Sequence, residues 1–230
     1  METAALEIGA SNPSHHSFWP LWIRRLILMA APTRTRLTAQ FLLSAVSAAQ
    51  FPALGVPEVA FLGRSNVGKS SLLNALVGKA AAKVSATPGR TRAINFFLVS
   101  EDRPAKRRIF ADLPGYGYAK ISKSVSANWP GFIEPYLIDR PTLRLCVCLV
   151  DANVPPQERD VQLLDWLRFV ERNFIVVATK IDRLSGNQRT RNLAVLKEAL
   201  AVDEILPVSA KTCHGVKELW SRLENACAAR

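Results

Sequence analysis

Cysteine and histidine are scarce in this sequence, and the few that occur do not form a metal-binding pattern. The 230 residues include four cysteines and three histidines. Cys146 and Cys148 alternate within an apolar stretch that is typical of a buried strand, whereas Cys213 and Cys227 stand alone. We therefore expect reduced thiols and no catalytic histidine.

Long apolar runs are also missing. The run at residues 26–31 is far shorter than the roughly twenty residues that a membrane span requires. Two arginines before the apolar residues 41–49 imitate a secretory signal, but that stretch leads directly into the folded domain. Organellar targeting is less favoured, because two glutamates near the N-terminus are unusual for a transit peptide. We expect residues 1–50 to form a flexible extension, in which Met29 is an alternative start, and residues 51–230 to form one domain.

Acidic residues are outnumbered by basic ones, 19 against 30, which gives a formal net charge of +11. That excess favours an anionic partner. The densest basic cluster, residues 103–108, is predicted to be a hairpin turn between two strands. Each single Lys or Arg is best explained as part of a solvated surface. An aromatic-rich RNA-binding signature is missing, so sequence-specific reading of bases is not expected.

The sequence does contain a complete phosphate-binding pattern. The run GRSNVGKS, which begins at Gly63, fits G-x-x-x-x-G-K-[ST] without a mismatch. It follows a predicted strand at residues 59–62 and precedes a predicted helix at residues 71–76. In such a loop, backbone N–H groups and the helix N-terminus face phosphate. Lys69 is predicted to reach the β- and γ-phosphates, and the Ser70 hydroxyl is predicted to bind Mg²⁺.

A second motif, TKID at residues 179–182, follows the apolar residues 174–178. We expect it at the carboxyl end of a buried strand, where open α/β sheets bind ligands. The Asp182 carboxylate can accept hydrogen bonds from N1–H and the exocyclic amine of guanine, a donor pair that adenine lacks. Two such bonds favour guanine about a hundredfold or more. The aliphatic part of Lys180 is expected to lie over the base, and the VSA segment at residues 208–210 is expected to back it.

Two segments between these motifs are candidates for a nucleotide-dependent switch. DLPG, at residues 112–115, ends an apolar stretch. Asp112 can hold Mg²⁺ through its water shell, and the Gly115 N–H can sense the γ-phosphate. The loop at residues 87–92 carries Thr87 and Thr91, and position alone does not decide which of them completes the magnesium site. Together the motifs predict a GTP-binding switch protein.

Apolar strands alternate with helical stretches in the second half of the chain. The strands predicted at residues 145–150, 174–178 and 205–208 are separated by helices predicted at residues 157–170 and 192–200. A last helix is predicted at residues 216–226. This alternation indicates an α/β fold with a mostly parallel sheet and helices on both faces.

The segments GRSNVGKSSLLNAL, TPGRT, DLPGYGYA, TKID and VSA, in this order, resemble the EngB family of ribosome-assembly GTPases, from about residue 44 to the C-terminus. The resemblance implies a P-loop GTPase (Ras-like) fold with a six-stranded sheet. It also selects Thr91 over Thr87, so that Ser70 and Thr91 are the expected magnesium ligands. One departure is Asn153, which stands where the family usually has arginine; we expect this position to lie outside the nucleotide motifs.

The resemblance also implies which residues act on the nucleotide. Lys69, Thr91 and Gly115 are the expected catalytic residues. The residues expected to contact GTP lie in five short segments: Gly63, Arg64, Ser65, Asn66, Val67, Gly68, Lys69 and Ser70; Gly89, Arg90, Thr91, Arg92 and Ala93; Asp112, Leu113, Pro114 and Gly115; Thr179, Lys180, Ile181 and Asp182; and Val208, Ser209 and Ala210.

One residue that Ras-like proteins use in hydrolysis is missing. They place a glutamine just after DxxG to orient the attacking water, whereas this sequence has Tyr116 there. We therefore predict slow hydrolysis, about 10⁻³ s⁻¹ or below, by analogy with unassisted Ras-type proteins. No arginine finger can be assigned, although Arg64, Arg90 and Arg92 lie near the site. Asn66 matches an asparagine with which related bacterial GTPases help to hold K⁺, so K⁺ is a candidate cofactor beside Mg²⁺.

These observations predict a cytoplasmic, monomeric GTPase that binds GTP and GDP and acts in assembly of the large ribosomal subunit. With the resemblance, ribosomal RNA becomes the favoured polyanion. Links to cell division and septation are expected to be indirect, through ribosome supply. Two alternatives are a membrane-associated signalling GTPase, disfavoured because no credible lipid anchor occurs, and a scaffold that binds GTP without hydrolysing it.

Overall fold

A seven-stranded sheet forms the centre of the part of the chain that this computed structural model describes, namely residues 37–77, 93–101, 106–116 and 131–228. The sheet has the strand order β1-β3-β4-β2-β5-β6-β7. Strands β4, β2, β5, β6 and β7 pair in parallel, and β3 and β1 continue the sheet by antiparallel pairing. The strands are β1 (Thr38–Ala45), β2 (Glu58–Gly63), β3 (Ile94–Ser100), β4 (Arg107–Asp112), β5 (Leu143–Asp151), β6 (Phe174–Thr179) and β7 (Leu206–Pro207).

Helices follow strands β2, β4, β5, β6 and β7 in the chain. They are α1 (Lys69–Val77), α2 (Ile133–Asp139), α3 (Glu158–Phe169), α4 (Gly186–Ala199) and α5 (Val216–Ala228). Local sequence explains where α4 begins. The Ser185 hydroxyl accepts a hydrogen bond from Gln188 N, and the Gln188 side chain accepts one from Ser185 N, which together form a capping box.

Each face of the sheet carries its own apolar core. Successive side chains of a strand point to opposite faces, so Ala60 and Leu62 of β2 pack against helices α2, α3 and α4. Val59 and Phe61 of the same strand pack on the other face, against α1 and α5. The predicted α/β fold with helices on both faces is therefore confirmed. Cys146 and Cys148 are both buried in β5, as the sequence predicted.

The predicted number of strands was wrong. Six strands were expected, and the described residues form seven. Strand β1 lies before residue 51, where we had placed the start of the domain, and it pairs with β3 from Thr38 to Ala45. Phe41 packs edge-to-face on Phe97, with ring centroids 5.7 Å apart. The apolar residues that imitate a secretory signal thus supply the edge of the sheet.

Strands β3 and β4 are antiparallel neighbours, as expected for the hairpin predicted around the basic cluster. The turn itself, residues 102–105, lies outside the described residues. None of the helices in the described part of the chain combines the length and the apolar character needed to cross a membrane.

Candidate nucleotide-binding site

The predicted phosphate loop connects the carboxyl end of β2 to the first residue of α1. Leu72 N donates to Gly68 O at 2.9 Å, which begins the helix, and Val67 N donates to Arg64 O at 3.2 Å within the loop. Gly68 has a φ of 110°, in the region that favours glycine. The strand, loop and helix that the motif requires are all present, and the helix N-terminus faces the loop.

Lys69 is half-buried at the start of α1, and its Nζ donates to Gly63 O across a long 3.5 Å contact. Burial lowers the pKa of this amine, and the charge of Asp112 partly opposes that effect. A charged amine in such a place needs an anion, because its desolvation is only partly offset. A phosphate group held by the loop would supply that charge.

Asp112 ends β4 and is 7% exposed. Among the described residues, no donor bonds its Oδ1. Burial raises the pKa of this carboxyl to about 6, although Lys69 acts in the opposite direction. A buried carboxylate oxygen without a partner suits a hydrated cation, so the residues present fit Mg²⁺ held through water. Ser70, the first expected magnesium ligand, is the second residue of α1.

DLPG lies directly against the phosphate loop. A Cβ at Gly115 would come within 2.9 Å of Ser65 N, so the two backbones approach more closely than any side chain at this position allows. Ser65 N also donates a hydrogen bond to Tyr116 O at 3.4 Å, and Arg64 and Tyr116 form a parallel β-bridge. The segment expected to sense the γ-phosphate is therefore fixed beside the segment expected to hold it.

The TKID segment is joined to the same loop. The Thr179 hydroxyl, at the end of β6, donates to Val67 O at 2.7 Å. Lys180 Nζ donates to Asn66 O at 2.7 Å and to Asp151 Oδ2 at 2.7 Å. These bonds connect the expected base-reading segment to the expected phosphate-binding segment, so the two would recognise one ligand together.

Asp182 follows in a short 3₁₀ turn and is exposed. The Ser209 hydroxyl donates to its Oδ1 at 2.6 Å, and this bond holds the pKa of the carboxyl below its usual value. Thr212 N in turn donates to Ser209 Oγ at 3.1 Å, which orients the serine. The VSA segment thus positions an ionised carboxylate, the form that can accept two donors from guanine.

Comparison with known proteins agrees with this geometry. Residues 58–180 match a protein family described as 50S ribosome-binding GTPase. A protein of Koribacter versatilis, named probable GTP-binding protein EngB, is 60% identical over 194 residues, which cover 83% of this chain and 95% of that protein. The chain belongs to the EngB family of GTP-binding proteins. It is therefore a P-loop GTPase, an enzyme that hydrolyses GTP, and the hypothesis of a non-hydrolysing scaffold is not supported.

Solved structures agree as well. A crystal structure of a probable GTP-binding protein EngB has a TM-score of 0.59 and 25% identity, and the match covers 75% of this chain and all of that one. A crystal structure of Era, in complex with MgGDPNP and nucleotides 1506–1542 of 16S ribosomal RNA, has a TM-score of 0.59 and 26% identity. That match covers 74% of this chain and 56% of Era.

Part of the predicted site cannot be located. Gly89, Arg90, Thr91 and Arg92 lie outside the described residues, so the second expected magnesium ligand is not placed. Ala93, which follows them, is buried directly before β3. The other predicted residues lie in segments at the carboxyl ends of β2, β4, β6 and β7, where an EngB-family nucleotide site is expected. Their individual roles stay predictions.

Asn153 lies outside the nucleotide motifs but contacts one of them. Its Nδ2 donates to Lys180 O at 3.0 Å and to Asp151 Oδ1 at 3.0 Å. Hydrogen bonds from Lys180 and Asn153 hold the pKa of Asp151 below its usual value, against the effect of burial. Asp151 and Asn153 therefore support the base-reading segment of this EngB-family protein. The available signal was their place at the carboxyl end of β5, which lies between β2 and β6.

Proposed function

We propose that this GTPase is a GTP-controlled switch in assembly of the large ribosomal subunit. The observation that carries the proposal is the match of residues 58–180 to 50S ribosome-binding GTPases. Era, a protein of similar fold, was crystallised with a segment of ribosomal RNA. A net charge of +11 suits a polyanionic partner of this kind. The protein would act in the cytoplasm as a monomer, and effects on cell division and septation would follow from ribosome supply.

The nucleotide chemistry follows from the predicted contacts. The phosphate loop would hold the phosphates, with Lys69 on the β- and γ-groups, and Asp182 would accept the two guanine donors. Ser70 and Thr91 would bind Mg²⁺ directly, and Asp112 would hold it through water. When bound, Mg²⁺ neutralises charge that develops on the phosphates. Gly115 would report the presence of the γ-phosphate through its N–H.

Hydrolysis without a partner is expected to be slow. Tyr116 takes the place of the Ras-like glutamine, and its hydroxyl is committed to a buried hydrogen bond with Asp160. We expect a rate of about 10⁻³ s⁻¹ or below for the isolated protein. K⁺ held near Asn66 would supply the missing positive charge. Turnover should then be faster in KCl than in NaCl at equal ionic strength, and equal rates would remove K⁺ from the proposal.

Co-sedimentation with purified ribosomal subunits tests the proposed partner. The protein is incubated with either subunit and with GDP or a non-hydrolysable GTP analogue, across a salt series. We expect binding to the large subunit that requires the analogue and survives moderate salt. Binding that ignores the nucleotide and falls steeply with salt would instead mean nonspecific attraction to RNA phosphates, and the ribosomal switch would be rejected.

A further inference from the structure

A buried hydrogen bond connects the residue after DLPG to helix α3. The Tyr116 hydroxyl donates to Asp160 Oδ1 at 2.8 Å. Tyr116 is 4% exposed and Asp160, in the first turn of α3, is 5% exposed. Both side chains lie on the sheet face that carries α2, α3 and α4, and the tyrosine ring belongs to the core cluster there. A residue at the edge of the nucleotide site is thus anchored in the interior of the domain.

The backbone of Tyr116 lies on the other side of this anchor, against the phosphate loop. It forms the parallel bridge with Arg64, and its carbonyl accepts from Ser65 N. Its neighbour Gly115 packs so closely on Ser65 N that no Cβ would fit. The peptide between Gly115 and Tyr116 is therefore held from two sides, by the loop and by Asp160.

Packing alone does not account for a carboxylate at position 160. Burial raises the pKa of Asp160, and the hydrogen bond from Tyr116 and the charge of Arg64 oppose that effect. Replacing a buried polar pair by well-packed apolar side chains is often neutral or stabilising. A polar pair in this position fixes the direction of the tyrosine ring, which an apolar contact would leave less defined.

We propose that Asp160 is a positioning residue for GTP recognition and hydrolysis, because it holds the Gly115–Tyr116 peptide against the phosphate loop. The inference rests on the proposed function of Gly115 as the sensor of the γ-phosphate. Loss of the anchor would leave the GDP contacts in place and would impair those contacts that only the γ-phosphate makes. The affected quantities are the GTP-to-GDP preference and the rate of hydrolysis.

Tyr116→Phe tests the anchor, since it removes a single hydroxyl. We expect affinity for a non-hydrolysable GTP analogue and the single-turnover hydrolysis rate each to fall about tenfold, the size of one lost hydrogen bond to a charged group. Affinity for GDP should stay within about twofold of the wild-type value, because the base and the first two phosphates keep their contacts. Both affinities are measured by titration calorimetry with Mg²⁺ present.

Tyr136→Phe is the matched control. The Tyr136 hydroxyl donates to Glu58 Oε2 at 2.9 Å, and both residues are buried, so this pair resembles the first in chemistry and burial. Glu58 lies at the amino end of β2, away from the phosphate loop. Tyr136→Phe should lower the thermal midpoint as Tyr116→Phe does, and it should leave the ratio of analogue to GDP affinity within about twofold of wild type.

Two changes at position 160 separate positioning from stability. The single variant Asp160→Asn keeps an acceptor for the Tyr116 hydroxyl, so its ratio of analogue to GDP affinity should stay within about threefold of wild type. The double variant Tyr116→Phe, Asp160→Leu replaces both polar partners by apolar groups and should regain the thermal midpoint while the ratio stays reduced. If Tyr116→Phe alone fails to fold, the double variant provides the test.

Different outcomes would reject the positioning role of Asp160 and the proposed switch function. If the double variant is stable and keeps the wild-type affinity ratio, the pair serves packing only and the inference is wrong. An equal fall of the ratio in Tyr136→Phe would also overturn it, because the effect would then be general. If the wild-type protein itself binds GDP and the analogue with equal affinity and ignores the nucleotide on ribosomal subunits, the proposed switch function fails instead.

Discussion

Ionisable side chains lie near both ends of strand β2, and the described residues provide them with good hydrogen-bond partners at the amino end but not at the carboxyl end. At the amino end, Glu58 is 1% exposed. Its carboxylate accepts hydrogen bonds from Tyr136 at 2.9 Å, from Arg140 Nε at 2.9 Å and from Thr142 at 2.7 Å. Arg140 also stacks on Phe51, with 5.7 Å between its guanidinium carbon and the ring centroid.

At the carboxyl end, the equivalent groups have poor partners. Among the described residues, Lys69 Nζ donates to Gly63 O at a long 3.5 Å, and Asp112 Oδ1 has no donor. Burial shifts the pKa of both groups toward their neutral forms. Because buried polar groups in folded proteins are nearly always bonded, an unsatisfied cluster indicates a place that a ligand completes. The difference between the ends separates residues that stabilise the fold from residues that we expect to bind the nucleotide.

The largest effect on stability is expected from removing the buried carboxylate at the amino end of β2. Glu58→Ala removes the carboxylate from a mostly buried network and leaves the Arg140 guanidinium, which is 16% exposed, without its ion-pair partner, so it should lower the free energy of unfolding by about 3–5 kcal/mol. Urea denaturation measures the change. Glu204→Ala is the control, since its ion pair with Arg222 is exposed, and it should cost less than about 1 kcal/mol. A similarly small loss for Glu58→Ala would mean that the buried network contributes little to stability.

The next effect concerns the ligand rather than the fold. Asp182→Asn replaces an acceptor of two guanine donors by an amide and should weaken GTP binding about a hundredfold. The same amide can donate to the additional carbonyl of xanthine, so xanthosine triphosphate should become the preferred nucleotide. Stability without nucleotide should change little, because Asp182 is exposed. Equal GTP affinity in the variant would remove Asp182 as the base reader.

Asp112→Asn should have opposite effects on stability and on binding. A carboxyl whose pKa is raised from 3.8 to about 6 destabilises the nucleotide-free protein at pH 7, because the folded state disfavours its charge. The amide should therefore raise the free energy of unfolding of that form by up to about 3 kcal/mol, since each pKa unit corresponds to about 1.4 kcal/mol. It should also weaken the Mg²⁺-dependent binding of GTP, since the negative charge is lost.

The sign of the pH dependence provides a check on Asp112. A raised pKa means that the folded state binds the Asp112 proton more tightly than the unfolded state does. The stability that this proton contributes is therefore fully present below about pH 4 and is lost as pH rises through about 6. Thermal midpoints of the nucleotide-free wild type and of Asp112→Asn should therefore converge as pH falls from 7 to 5. A constant difference across that range would contradict the raised pKa.

The sequence predicted the fold wherever a local pattern determined it. The phosphate-loop motif specifies its own strand, turn and helix, and the expected elements all occur. The start of α4 was predicted six residues too late, although Ser185 and Gln188 carry the spacing of a capping box. The seventh strand was missed because its apolar residues form an edge whose partner, β3, is far away in the sequence.

Contacts between distant segments could not be predicted in the same way. Nothing in the order of the residues indicates that Tyr116 bonds Asp160, or that Asn153 bonds the Lys180 carbonyl. Both contacts depend on the strand order, which places the carboxyl ends of β4, β2, β5 and β6 side by side. A motif therefore predicted which groups touch the nucleotide, whereas only the sheet identified the groups that lie next to them.

Asn153 offers the smallest and most specific of these tests, because it lies at the unsatisfied end and is not expected to touch the nucleotide. Asn153→Ala removes the bonds to Lys180 O and Asp151 and should weaken GDP binding about threefold to tenfold, the size of one or two neutral hydrogen bonds. Asn153→Arg, the residue usual in the family, keeps donors for Asp151 and should bind GDP within about twofold of wild type. Titration calorimetry distinguishes the two variants. If alanine binds as well as asparagine, or arginine binds more weakly than alanine, then position 153 does not support the base-reading segment, and Asp151 alone holds Lys180 in place.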